Sequence, residues 1–114
     1  MMYFHIPLQE TYSAWTAAWG TDAHTEGKKN ENISAATVNV GLFQAVVDRG
    51  DVMMIAHGHD HINDFAVDYR GVTLAYTACI GTEVYHDTAM LGGRVVSFTA
   101  DDPWNLNTYM SRVK

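Results

Sequence analysis

Apolar residues follow two different periods along this chain, and the switches between them mark out its elements. Residues 1–6 form an apolar run that meets Pro7, the pattern of a strand delivering His5 at its end. Residues 8–19 set Tyr12, Trp15 and Trp19 among several alanines and predict an irregular helix. Residues 20–32 are polar and read as a long exposed loop with His24 in solvent. Over residues 38–48, Val40, Phe43, Val46 and Val47 recur at helical spacing, with Asn39 as N-cap and Gly50 as stop.

The period then changes. Residues 52–56 are continuously apolar, as in a strand buried on both faces, and helix, turn and strand in succession make an α/β crossover. Residues 66–69 and 72–77 flank Arg70-Gly71 and predict a hairpin. A loop over residues 78–93 carries Glu83, Tyr85, His86 and Asp87. Two further strands, over 94–99 and 106–113, are separated by Asp101, Asp102 and Pro103. The series reads as a core helix followed by antiparallel-looking strands, in the α/β class.

Composition narrows this picture. A chain of 114 residues has room for one domain that buries about 65% of its unfolded surface. With 47% hydrophobic and 18% charged residues it is not of the disordered class. A formal charge of −6 with scattered Lys and Arg argues against nucleic acid as a partner, because a phosphate backbone needs a cationic face. An anionic substrate stays compatible, since a bound dication inverts the local field. The single cysteine, Cys79, excludes an intrachain disulfide and a thiolate zinc cluster. No stretch of membrane-spanning length is present.

The apolar run at 52–56 empties into His57-Gly58-His59-Asp60-His61, and this is the chemically loaded point of the chain. In extended backbone, residues two apart point to one side, so His59 and His61 would converge, with Gly58 allowing a sharp exit from the strand. Neutral imidazoles suit Zn, Fe and Mn, and Asp60 and Asp64 stand near enough to fix their tautomers. Strand ends of this kind are where α/β folds place ligands. His57 shares its side of the strand with Met53 and Ile55 and reads as a hydrogen-bonded core histidine. Three metal-hydrolase patterns fail. The aspartate comes one place early for a metallo-β-lactamase. Only 53 residues follow His61 (114 minus 61), too few for an amidohydrolase barrel, and the next Glu, Glu83, is too distant for a cupin.

Several blocks together carry a resemblance. They are His-Ile-Pro-Leu-Gln-Glu at 5–10, Asn-Val-Gly-Leu-Phe at 39–43, Gly-Asp-Val at 50–52, Gly-His-Asp-His-Ile-Asn-Asp-Phe at 58–65 and the glycine-led Gly-Gly-Arg-Val-Val at 92–96. In this order they resemble the C-terminal part of calcineurin-like metallophosphoesterases, in the purple-acid-phosphatase-related branch. The resemblance implies the C-terminal part of a two-sheet β-sandwich flanked by helices, the metallo-dependent phosphatase fold. Residues 1–114 would then be a single partial domain whose N-terminal half is missing.

It also implies a phosphoric ester hydrolase with two divalent or trivalent metal ions, Fe, Mn or Zn. His5 and His59 would ligate one ion and His61 the other. Asp60, Asn63, Asp64 and His86 would shape the loops, orient the ligands or approach a phosphate-ester substrate. The family's Gly-Asp-x-x-Asp and Gly-Asn-His-Asp or Gly-Asn-His-Glu blocks do not occur here. The expectation is therefore a chain that supplies three His ligands and is incomplete for catalysis on its own, with a noncatalytic metal-binding or vestigial fragment as the alternative.

Overall fold

The sheet at the centre of the molecule is built around parallel strands. In the computed structural model, which describes residues 1–19, 21 and 25–114, β1 (Met2–Phe4) pairs in parallel with β3 (Met54–His57), and β3 pairs in parallel with β5 (Val72–Tyr76). β4 (Ala66–Tyr69) and the short β2 (Thr25–Glu26) complete the sheet as antiparallel neighbours, giving the order β1-β3-β5-β4-β2. β6 (Gly92–Ser97) and β7 (Asn107–Arg112) form a separate antiparallel pair. The antiparallel series read from the sequence is thus corrected: hydrophobic period identifies strands but says nothing about their relative direction.

Two α-helices are described, α1 (Gln9–Ala18) and α2 (Leu42–Arg49). α1 is regular. α2 begins later than its apolar spacing suggests, because Gly41, at φ 78, stands outside the helix and Asn39 spends its side chain on the Gly41 N–H and on Glu10. Val38 and Val40 are left 70% and 83% exposed. The stop is where expected: Gly50, at φ 72, donates its N–H to the Val46 carbonyl at 3.0 Å.

β3 is buried at every position, as a central strand covered on both faces must be. On one face Ala14 and Ala18 of α1 and Phe43 and Val46 of α2 join Ile55, Val67 and Leu74 in the main core. On the other, the small side chains of Ala56, Ala66 and Ala75 sit with Met54 under Val96 and Leu106 from the β6–β7 unit. The β4–β5 hairpin turns through Arg70 and Gly71, both at positive φ (51 and 82), the geometry of a two-residue turn matched to strand twist.

Arg94 fastens the second sheet to the first. Its side chain is fully buried and donates to the Tyr76 carbonyl at 2.8 Å, the Asp64 carbonyl at 2.7 Å, Thr108 Oγ1 at 3.2 Å and the Glu26 carboxylate. Arg112 pairs with buried Asp64 and donates to the Met90 carbonyl. No described helix is long and apolar enough to cross a membrane.

Candidate metal centre

Because β1 and β3 are parallel neighbours, with Phe4 opposite His57, the residues that leave their carboxyl ends emerge side by side. His5 and His59, 54 positions apart in sequence, meet there: His5 Nε2 lies 3.3 Å from His59 Nδ1, with ring centroids 5.1 Å apart. The backbone supports the approach, since the Gly58 N–H donates to the His5 carbonyl at 3.1 Å.

The route to this convergence differs from the extended path anticipated. β3 ends at His57, and the residue that breaks direction is His59, at φ 75, rather than Gly58. A Cβ on Gly58 would meet nothing closer than 3.6 Å, so that glycine is not sterically demanded. With His59 in the left-handed region, uncommon for a residue other than glycine, the rings of His59 and His61 do not share one side. His59 turns to His5. His61 turns to Tyr85, stacking at 4.3 Å between centroids and 10° between planes, with Nδ1 2.9 Å from the Tyr85 carbonyl.

A carbonyl only accepts, so His61 Nδ1 is the donor in this contact, and a neutral ring would then keep its lone pair on Nε2, the form in which imidazole ligates metal. The 3.3 Å between the facing nitrogens of His5 and His59 matches the edge of a tetrahedron with donors about 2.0–2.1 Å from its centre, roughly 3.3 Å. The imidazoles of His5 and His59 therefore span one edge of a coordination shell. They do not make a whole one: among the described residues, no group of three or more His, Cys, Asp or Glu side chains is arranged to hold an ion.

The carboxylates near the imidazoles are committed elsewhere. Asp60 is buried and accepts from the Ser34 N–H, Asn63 Nδ2 and the Tyr76 hydroxyl. Asn63 Oδ1 accepts from the N–H groups of Asn30 and Glu31 at 2.9 and 3.1 Å. Asp64 accepts from the Lys28 N–H at 2.6 Å and pairs with Arg112. These residues clip segment 28–34 across the loop; none of their described bonds goes to an imidazole. His86 is likewise tied to its own loop, with Nδ1 2.8 Å from the Val84 carbonyl.

His57 is a core residue. It is 1% exposed, stands edge-on to Tyr76 at 4.3 Å, and shares a 3.1 Å hydrogen bond between Nε2 and Thr11 Oγ1. Burial pushes its pKa down to about 4, against the pull of Asp60, so the ring is neutral at pH 7. Burial and the Asp60 carboxylate raise the Tyr76 hydroxyl well above its usual range.

Sequence reasoning missed Glu31, whose carboxylate accepts from the Ile62 N–H at 2.8 Å and the Tyr85 hydroxyl at 2.9 Å; nothing in a polar loop singles it out. His24, read from the sequence as a loop histidine in solvent, lies outside the described residues. A cleft of about 520 Å³ lies away from the imidazoles, at the amino end of β3, between Val52, Thr73, Trp104 and Leu106.

No family model matches the chain, and no solved structure does. Proteins of Arabidopsis thaliana do. The one named "Probable inactive purple acid phosphatase 29" is 39% identical over 85 residues, covering 75% of this chain and 21% of its own length. "Probable inactive purple acid phosphatase 14" is 32% identical over 92 residues, 81% of this chain and 21% of its own length. "Probable inactive purple acid phosphatase 28" is 31% identical over 85 residues, 75% and 20% respectively. The chain thus spans about a fifth of the length of these relatives.

Proposed function

Because the chain belongs to the purple acid phosphatase family, we propose that it is the histidine-donating, C-terminal part of a binuclear metal-dependent phosphoesterase domain. In this reading His5 and His59 hold one ion and His61 the other, and the α/β architecture is the corresponding part of a two-sheet sandwich flanked by helices. The observation that carries it is the approach of His5 and His59 to 3.3 Å at the ends of neighbouring parallel strands.

Bound Fe, Mn or Zn ions would supply Lewis acidity toward a phosphoryl oxygen and an activated nucleophile at neutral pH. This chain's own contribution is neutral donors. Imidazoles add no negative charge, so they leave the centre electrophilic, and the tautomer of His61 is set by a carbonyl rather than by a carboxylate. The carboxylate ligands would come from other parts of a domain of the relatives' length, since Asp60 and Asp64 are spent on backbone N–H groups and Arg112. The 114 residues alone are accordingly not expected to hydrolyse phosphate esters. The word inactive in the names of the three relatives favours a second reading, a noncatalytic metal-binding or vestigial fragment.

Calorimetric titration with Zn²⁺, repeated on His5→Ala and His59→Ala, tests the site. Loss of binding in both variants is expected, and unchanged binding in both would overturn the assignment. An aryl phosphate assay with added Mn, Zn or Fe tests the rest: rapid turnover by this chain, abolished in His59→Ala, would show the donor set to be complete after all. Metal binding without turnover in a polypeptide of the relatives' full length would select the noncatalytic reading.

A further inference from the structure

Tyr85 touches His61 in three ways at once. Its carbonyl lies 2.9 Å from His61 Nδ1, its hydroxyl lies 3.4 Å from the His61 backbone N–H, and its ring stacks on the imidazole at 4.3 Å. The residues are 24 positions apart, so no turn geometry imposes this arrangement. A histidine on a loop that needed only to be out of the way would not be held by backbone, ring and hydroxyl of one partner.

The partner is itself anchored. Its hydroxyl donates to Glu31 Oε2 at 2.9 Å, and the other oxygen of that carboxylate accepts from the Ile62 N–H at 2.8 Å, next in sequence to His61. Glu31 is fixed in turn by Asn63, which accepts from its N–H and donates to its carbonyl. The contacts form a closed circuit around the imidazole, through Tyr85, Glu31 and the 61–63 backbone.

We propose that Tyr85 is a positioning residue for His61: its carbonyl fixes the proton on Nδ1, and its ring and hydroxyl hold the imidazole so that Nε2 presents a lone pair outward. The assignment rests on the reading of His61 as a metal donor, but its central claim concerns a tautomer and can be read without metal. An unrestrained imidazole favours the opposite tautomer, with the proton on Nε2. Glu31 acts one step further out, by holding the Tyr85 hydroxyl.

Long-range ¹H–¹⁵N correlation spectra of the labelled 114-residue chain at pH 8 report which nitrogen of each histidine is protonated. His61 is expected with its proton on Nδ1 in the wild type, shifting toward the Nε2–H form in Tyr85→Ala and in the bulkier Tyr85→Leu, which guards against loss of the fold. Every variant keeps the backbone carbonyl; Tyr85→Phe also keeps the ring and is expected to retain the wild-type tautomer, whereas Tyr85→Ala and Tyr85→Leu lose the stacking and hydroxyl contacts that hold that carbonyl against Nδ1. Zn²⁺ titration of the same samples is expected to show affinity about 10–100-fold weaker for Tyr85→Ala, the range for losing a group that orients a ligand. A wild-type His61 with its proton on Nε2, or one that keeps Nδ1–H in both Tyr85→Ala and Tyr85→Leu, would overturn the proposal. Zn²⁺ that leaves the His5 and His59 resonances unmoved would instead sink the metal reading while the tautomer result stood.

Discussion

Replacing Arg94 by Met should be among the most damaging single changes in this chain, and its size can be worked from the contacts. Methionine keeps an unbranched apolar stem against the alanine-rich sheet face while removing five donors and a charge. The Tyr76 and Asp64 carbonyls and Thr108 Oγ1 each lose a charged donor, and Glu26 loses its partner. Breaking a buried, hydrogen-bonded ion pair costs about 3–5 kcal/mol. Glu26 is 32% exposed and can be solvated in part, which places the expected loss near the lower end, about 3 kcal/mol. With a urea dependence of about 1.5 kcal/mol per M for a domain of this size, the midpoint should fall by about 2 M. Tryptophan fluorescence across a urea series measures it. Glu26→Gln keeps an oxygen that can accept from Arg94 but leaves the buried guanidinium without its counter-charge, and should also cost about 3 kcal/mol. A loss below about 1 kcal/mol for Arg94→Met would refute the view that Arg94 fastens the two sheets.

Acid should find His57. Its folded pKa is lowered from 6.5 to about 4, so above pH 6.5 the ring is neutral in both states, and as pH falls from 6.5 towards 4 the unfolded chain binds a proton that the folded one refuses. Stability is therefore lost across that window, up to about 3 kcal/mol, and the loss levels off below pH 4. His57→Gln, compared with wild type by urea midpoints at pH 7.5 and pH 4.5, should remove most of this slope; identical slopes would count against the neutral buried ring. Among the described residues β1 pairs on one side only, and Tyr3 on it is 81% exposed. The chain is expected to self-associate with rising concentration, and Tyr3→Lys should reduce this by adding charge to the edge. Light scattering after size exclusion checks it, and a monodisperse wild-type monomer at all concentrations would contradict it.

How much of this was legible in the sequence depends on whether the determinant was local. The Arg70-Gly71 turn and the Gly50 stop were, because both need only a backbone in the left-handed region at a defined place. The meeting of His5 and His59 was implied by the family resemblance; the residues alone say only that imidazoles follow apolar strands. The backward turn at His59 was not implied, since glycine next door was the expected breaker, yet φ 75 falls on the histidine. Nor could the roles of Asp60, Asn63 and Asp64 be read: a carboxylate one or three positions from an imidazole looks like its support until the tertiary fold brings in Ser34, Asn30 and Lys28. Tyr85 carried the same ambiguity, a loop aromatic whose partner is chosen by an approach across 24 residues.

The strap over residues 28–34 is held by a particular division of labour. Asp60, Asn63 and Asp64 contribute side-chain oxygens, whereas Lys28, Asn30, Glu31 and Ser34 contribute peptide N–H groups. Every amino acid but proline owns such a group, so positions 28, 30 and 34 could change identity widely and keep the fastening intact. The other side has no such freedom: replacing Asp60 or Asp64 strands one peptide donor of the strap, and replacing Asn63 strands two. Evolution can thus rewrite the visible half of this clasp while the hidden half stays fixed.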